Sequence, residues 1–399
     1  MAVARDTEAT AALIWAACRP DPSRAAIAAA LTAGADLGRV ADVALAQRVA
    51  PLLWRALDIG GFTERFGPEV AGVEADAARC RAHAQLVVPR FADRALAPLA
   101  DAGLEPLVIK GAALAARYPA PGLRPMDDVD LVMPRDRVDA ALAVLRGAGW
   151  RTAPVPGRHH ETVLVHPQVP GLPLELHRSL STWPDRSNRL DPSVLWARRE
   201  PCVVAGVPAF GLQLEDELVV LAAHAGKPFH VFERLIWSVD IAVAIGDAAA
   251  RGVAIDWDTV LDNARRARAR TALAVALVHA ARLGATSPAE LRRLPATGAR
   301  RAALEPLCSP QWPLVVRDQG VRNRLRYALV DDPWLRVRLL ATGVRREGPI
   351  GTARNAAGLA VRALRRWRQL RGVRRTPRER GRAMTASAAA AAASSARTG

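Results

Sequence analysis

Leu104-Glu-Pro-Leu-Val-Ile-Lys110 and Asp127-Asp-Val-Asp-Leu-Val-Met133 are the two segments that decide the fold of this chain. The first is a short apolar run ending at Lys110-Gly111, which predicts a buried strand and a turn. The second alternates acidic and apolar residues, which is typical of a strand. Short strands are also expected at residues 150–152, 161–166 and 172–177. Strands that alternate with helices in this way predict a compact α/β or α+β unit.

Helical patterns flank this unit on both sides, since apolar residues recur there at three- and four-residue spacing. The expected helices include residues 73–99, 112–118, 216–225, 231–245 and 258–283. We divide the chain into a helical N-terminal region (1–100), an α/β core (101–212), a helical domain (213–300), a basic helical region (301–382) and a disordered Ala/Ser tail (383–399).

The composition excludes several classes of protein. Half of the 399 residues are hydrophobic, which is enough for a sizeable core. No run of about eighteen uncharged apolar residues occurs, so no membrane span is expected. The N-terminal residues do not have the pattern of a secretory signal. The four cysteines lie far apart, which predicts neither a zinc site nor a disulfide framework and favours a cytoplasmic protein.

The positive charge is concentrated at the C-terminal end. The formal net charge is +17, and residues 300–399 hold 22 basic against 6 acidic residues. A basic extension of this kind binds nucleic acid, anionic lipid or nothing in particular. The residues before 300 are electrically balanced, which makes nucleic acid an unlikely partner for a cleft in the core.

Asp128 and Asp130 are the first candidates for catalysis. Residues two apart on a strand point to the same face, so the two carboxylates would repel each other unless a cation lay between them. Glu175, in Leu174-Glu-Leu-His177, would join them if its strand lay beside theirs. Carboxylate oxygens are the ligands that Mg²⁺ prefers, so the three acids form a candidate Mg²⁺ site. The alternative is a solvated edge strand that carries two acids by chance.

Basic residues near these acids are candidates for binding a nucleotide. Lys110 and Gly111 end the first strand, where glycine would let a phosphate approach the backbone. Of the 56 basic residues only Lys110 and Lys227 are lysines, which hints that a compact ammonium group is needed at both places. Arg124, His177 and His224 complete the set. Each of these residues also has a purely structural interpretation. Lys110-Gly111 could simply start a helix, and Arg124 could form an ion pair. His177 could be a structural residue, and His224 and Lys227 could belong to one polar face of a helix.

Many short pieces of the chain resemble, in order, an uncharacterised bacterial nucleotidyltransferase family of the DNA-polymerase-β-like superfamily. The resemblance covers roughly residues 81–283 and includes Leu107-Val-Ile-Lys-Gly-Ala-Ala-Leu114, Gly122-Leu-Arg-Pro-Met126, Asp128-Val-Asp-Leu-Val132, Leu174-Glu-Leu-His177, His224-Ala-Gly-Lys227 and Glu233-Arg-Leu-Ile-Trp237.

The resemblance implies a nucleotidyltransferase-type mixed sheet and an α+β fold, with helical regions on both sides. It places triphosphate binding at Gly111 and two Mg²⁺ ions on Asp128, Asp130 and Glu175. The implied reaction is in-line attack of an acceptor hydroxyl on the α-phosphorus of a nucleoside triphosphate. The turn departs from the superfamily, which has Gly-Gly or Gly-Ser where this chain has Lys110-Gly111-Ala112. The resemblance does not identify the acceptor, which could be a small molecule, a peptide or a protein.

Two other functions remain open at this stage. The chain could be a catalytically inactive binding or regulatory protein on the same fold, although all three acids are present. It could also bind anionic surfaces through its basic C-terminal region.

Overall fold

The computed structural model describes residues 2–63, 68–153, 161–180, 189–316 and 318–338. Its centre is a seven-stranded mixed sheet in the order β3-β4-β5-β2-β1-β7-β6. The central strand β2 runs antiparallel to β1 and parallel to β5. The strands are β1 (Leu107–Ile109), β2 (Val129–Val132), β3 (Arg151–Thr152), β4 (Glu161–Val165), β5 (Leu174–His177), β6 (Glu200–Val204) and β7 (Val207–Gly211).

The helices lie before, within and after this sheet in the chain. The N-terminal ones are α1 (Ala2–Ala17), α2 (Arg24–Thr32), α3 (Leu37–Ala46), α4 (Ala50–Ile59), α5 (Ala71–Leu86), α6 (Val88–Phe91) and α7 (Ala97–Asp101). Those between the strands are α8 (Gly111–Leu114), α9 (Val138–Gly147) and α10 (Pro192–Ala197). The last ones are α11 (Leu214–Ala225), α12 (Leu235–Ala250), α13 (Trp257–Arg266), α14 (Arg270–Arg282), α15 (Gly298–Leu304), α16 (Trp312–Val315) and α17 (Gln319–Leu329). The predicted α+β class, with a mixed sheet flanked by helices, is confirmed.

The two faces of the sheet differ around β2. Val129 and Leu131 are buried in a cluster that also holds Leu142 of α9. Because side chains alternate along a strand, Asp130 belongs to the opposite face, where Ile109 is buried in a second, smaller cluster. Both faces are therefore packed, and polar groups occupy only part of the face that carries Asp130.

The N-terminal and C-terminal helices share one hydrophobic core. This core contains Leu53 and Leu57 of α4 together with Leu218 of α11 and Leu277 of α14, all almost fully buried. The described residues belong to one compact unit, residues 1–342. The domain boundaries drawn from the sequence stay a prediction.

Several predicted helices differ from the observed ones. The helix expected at 112–118 is a single α-helical turn, α8, followed by a 3₁₀ turn. The helix expected at 258–283 is two helices, because Arg268 adopts a left-handed conformation with a φ of 56°. The hairpin of β6 and β7 was not predicted; it turns at Ala205 and Gly206, which both have positive φ.

The predicted basic region is described only as far as residue 338, and the predicted Ala/Ser tail lies outside the described residues. Among the described helices, none has the length and apolar character that a membrane span requires.

Candidate active site

Asp130 lies at the middle of the sheet, on β2. Its Cα is paired with that of Ile109 on one side and that of Glu175 on the other. Directly paired residues project to the same face, so Asp130 and Glu175 lie side by side, as the alternation in their sequences predicted. Asp128 lies just before the first residue of β2 and lines the same cavity as the other two acids. The structure therefore brings the three predicted carboxylates to one cavity.

The Asp130 carboxylate is buried and has two close partners. Its Oδ1 accepts a hydrogen bond from Lys110 Nζ at 2.6 Å and lies 2.7 Å from His177 Nε2. Burial alone would raise the pKa of Asp130, but the Lys110 charge and the His177 hydrogen bond outweigh it and hold this pKa below its ordinary value. Burial would lower the pKa of Lys110, but the neighbouring carboxylates raise it. The two groups therefore form a charged, buried pair.

Asp128 differs from its neighbour in its electrostatics. Burial raises the pKa of Asp128, and the negative charge of Asp130 raises it further. Lys110 and Arg124 oppose this shift without cancelling it. Two carboxylates whose pKa values are pushed apart by their surroundings are typical of catalytic sites.

His177 joins further acids to the cluster. Its Nδ1 lies 3.3 Å from Glu161 Oε2, and its Nε2 lies 3.6 Å from Glu175 Oε2. Glu161 begins β4 and is paired with His177 across the strands. Glu161 was not among the candidates selected from the sequence. The sequence shows only an acidic residue at the start of an apolar strand. That residue becomes a candidate once β4 is known to lie beside β5.

The donor atoms of the cluster fit a divalent cation. One atom from each of Asp130, Glu175 and His177 lies within 4.8 Å of the other two. Asp128 and Glu161 line the same cavity. Carboxylate oxygens suit Mg²⁺, and the imidazole would suit a transition ion as well. Four carboxylates around one lysine leave an excess of negative charge that a bound cation would balance.

Arg124 is held in a buried ion pair with Asp240 of α12. Arg124 Nε lies 2.7 Å from Asp240 Oδ1, and Arg124 Nη2 lies 2.8 Å from Oδ2. Tyr118 donates a further hydrogen bond to Asp240. A Cβ atom at Gly111 would lie 3.1 Å from the Arg124 guanidinium carbon, so glycine allows this close approach. The predicted contact of Arg124 with a nucleotide stays a prediction, although Arg124 also lines the cavity.

The cavity has a volume of about 440 Å³, and the helical region forms its second wall. His224 and Lys227 both line it. The prediction that these two share a helix face is wrong, because α11 ends at Ala225 and Lys227 lies in the following loop. Further lining residues of this wall are Phe229, His230, Glu233, Arg234, Ile236 and Trp237.

The loop between α11 and α12 has a strained backbone. Val231 and Phe232 have φ values of 48° and 51°, a conformation that costs energy in β-branched and bulky residues. Their neighbours hold them there: the Phe232 amide donates to the Ala225 carbonyl, and the Phe232 carbonyl accepts from Trp312 Nε1. The helix predicted from residue 231 therefore begins only at Leu235. Strain of this kind is often found at functional sites.

Two neutral imidazoles belong to the same wall. The rings of His224, His230 and Trp237 contact one another, with centroids 4.5–5.0 Å apart. Burial lowers the pKa of His224 well below its ordinary value and lowers that of His230 to about 3. Among the described residues, the buried His224 Nδ1 has no hydrogen-bond partner. A ligand in the cavity could supply one.

Asp127 lies at the rim of the cavity rather than among the other acids. It forms salt bridges with Arg48 and with Arg234, whose Nη1 lies 3.0 Å from Asp127 Oδ2. This pairing of Asp127 was not foreseen from the sequence.

A mixed sheet with paired carboxylates at its centre, facing a basic wall, is the arrangement expected of a nucleotidyltransferase. Residues 33–285 match the sequence profile of the family described as "Uncharacterised nucleotidyltransferase". The chain belongs to this family and is a nucleotidyltransferase. No curated protein and no solved structure gives a significant match to the chain.

Asp240→Asn should lower the free energy of unfolding by about 3 kcal/mol, because it leaves the buried Arg124 charge without its partner. Chemical denaturation would measure the loss. Asp262→Asn is the matched control, since it breaks only an exposed pair with Arg265 and should change stability by less than about 0.5 kcal/mol. Equal effects of the two substitutions would contradict this role of Asp240.

His230→Gln should weaken the dependence of stability on pH. The folded-state pKa of His230 is depressed to about 3 from an ordinary 6.5, so the unfolded chain binds the proton more readily. The contribution of His230 is present above pH 6.5 and is lost as the pH falls towards 3, by about 1.4 kcal/mol per pH unit. Unfolding free energies of both proteins at pH 7, 6 and 5 would measure this slope. Identical slopes would contradict the prediction.

Proposed function

We propose that this chain transfers a nucleoside monophosphate from a nucleoside triphosphate to an acceptor hydroxyl in a Mg²⁺-dependent reaction. The observation that carries the proposal is the convergence of Asp128, Asp130 and Glu175 on one cavity, whose other wall holds Lys227 and Arg234. Membership of the nucleotidyltransferase family indicates the class of reaction. The cavity holds carboxylates that could bind a metal ion and cations that could bind phosphate.

Mg²⁺ would be held by Asp128, Asp130 and Glu175. His177 would position these ligands, because its ring lies within 3.6 Å of carboxylate oxygens of Asp130, Glu175 and Glu161. When bound, the ion would supply positive charge to the triphosphate and to the departing pyrophosphate.

The triphosphate would lie along the basic lining of the cavity. Lys227 and Arg234, in the loop after α11, would place positive charges beside the triphosphate. Arg124 would place a further one near Gly111. His224 is suited to a neutral hydrogen bond, since its buried Nδ1 is unpartnered among the described residues. The Arg124 guanidinium lies close to Gly111, where a Cβ atom would approach it to 3.1 Å, so a phosphate near this backbone would also meet a cation.

The reaction joins the acceptor hydroxyl oxygen to the α-phosphorus while the bond from that phosphorus to pyrophosphate breaks. The hydroxyl proton must leave to a base. We assign this role to Asp128, because Lys110 and His177 already engage Asp130, whereas no hydrogen bond engages the Asp128 carboxylate among the described residues. Burial and the charge of Asp130 also raise the pKa of Asp128 above its ordinary value, which favours its acceptance of a proton.

The alternative of an inactive scaffold is less well supported. Loss of catalysis would leave the carboxylates without a function that justifies burying them together, since clustered buried acids destabilise a fold unless they are compensated. The acceptor would be a small molecule, a peptide or a protein. We propose a cytoplasmic setting, since all four cysteines are free thiols.

Asp128→Asn should weaken Mg²⁺-dependent nucleotide binding at least about tenfold, because it removes one charged ligand of the ion. Isothermal titration calorimetry with ATP, GTP, CTP and UTP, each with and without Mg²⁺, would measure the affinities. Wild type should bind at least one of the four with a Kd of about 1 μM to 1 mM, as is usual for enzyme substrates.

Asp139→Asn is the matched control, because Asp139 is an exposed residue of α9 outside the cavity. It should bind nucleotide as wild type does. Folded wild-type protein that binds none of the four nucleotides would contradict the proposed function and favour a scaffold.

A further inference from the structure

Lys110 holds an unusual backbone conformation at the end of β1. Its φ is 58° and its ψ is −131°, a combination that glycine adopts far more readily than any residue with a side chain. A lysine is nevertheless present in a chain with 56 basic residues of which only two are lysines. The strained turn and the presence of one of only two lysines both indicate that this side chain has a specific function.

The Lys110 ammonium lies among the carboxylates rather than towards solvent. It is 2.6 Å from Asp130 Oδ1, and the two side chains are 15% and 3% exposed. The charges of Asp128 and Glu175 also act on it. A compact ammonium can sit at contact distance from a carboxylate oxygen, where a planar guanidinium would need more space.

We propose that the Lys110 ammonium is a resident cation of the carboxylate cluster, and that it takes the place of a second divalent ion so that the site binds one. The inference rests on the proposed function, because it concerns the same metal site. It departs from the two ions that the resemblance of the sequence implied.

The Lys110 ammonium and a second metal ion would compete for the same Asp130 oxygen and for the negative charge of the same carboxylates. An ion coordinated by Asp130 Oδ1 on the side of Lys110 would have to displace the ammonium, since two cations cannot share that contact. The ammonium also reduces the net negative charge that attracts metal to the other acids. Lys110 would thus hold the cluster together before metal arrives and would set how many ions it accepts.

Calorimetric titration of the full chain with MnCl₂ tests this directly, since Mn²⁺ serves as a probe for Mg²⁺ and no nucleotide is needed. The variants are Lys110→Met, which keeps a long unbranched side chain without the charge, and Lys110→Gly, which also relieves the backbone. Arg146→Met is the matched control, because it removes an exposed positive charge of α9 that lies outside the cavity.

Wild type and Arg146→Met should bind one Mn²⁺ with Kd values that agree within about twofold. Both Lys110 variants should bind two ions, or one ion about tenfold more tightly or better, because a competing charge at contact distance is gone. Thermal melting would establish that each variant is folded, and Lys110→Gly should fold even if Lys110→Met does not.

Two Mn²⁺ ions on wild type, or Lys110 variants with the same ion number and affinity as wild type, would overturn the inference. The proposed function would survive either result if nucleotide still binds with Mg²⁺ and weakens in Asp128→Asn. Absence of Mn²⁺ binding by wild type and by every variant would also overturn the inference, and the proposed function would then fall only if no nucleotide binds with Mg²⁺.

Discussion

A buried carboxylate at the centre of the sheet is the constraint on which the rest of this structure depends. Asp130 is 2% exposed, and a buried charge is costly unless it is paired and hydrogen-bonded. Lys110 and His177 meet this need from the strands on either side, β1 and β5. The strained backbone at Lys110 and the parallel pairing of β2 with β5 together bring these two groups to one oxygen.

A second buried charge pair connects the sheet to the helical wall. Asp240 of α12 holds Arg124 through two hydrogen bonds and also accepts from Tyr118. The helix that carries this aspartate, α12, shares its core with the N-terminal helices. The cavity is therefore fixed from both sides: the acids by the sheet, and the basic wall by a core that spans both ends of the described chain.

The sequence predicted the parts of the site that depend on local alternation. The spacing of Asp128 and Asp130, and that of Glu175 and His177, is enough to place each pair on one face of a strand. Glu161 was missed because its importance comes from the order of the strands, which no local pattern contains. Asp240 was missed as a partner of Arg124 because the two are 116 residues apart.

Helix boundaries failed where tertiary contacts override local preference. Val231 and Phe232 favour regular structure by themselves, yet contacts with Ala225 and Trp312 hold them in left-handed conformations. This loop carries Lys227 and the other cavity residues into place. The helix start was therefore predicted wrongly in the same loop that brings Lys227 and Arg234 to the cavity.

We propose that metal and nucleotide bind together at the acidic residues of β2 and β5. A crystal structure of wild type with Mn²⁺ and a non-hydrolysable nucleoside triphosphate analogue would show where both bind. We expect anomalous density within about 2.5 Å of carboxylate oxygens of Asp128, Asp130 or Glu175, with the triphosphate beside it in the same cavity. Metal and nucleotide bound elsewhere on the protein, with the three carboxylates uncoordinated, would contradict it.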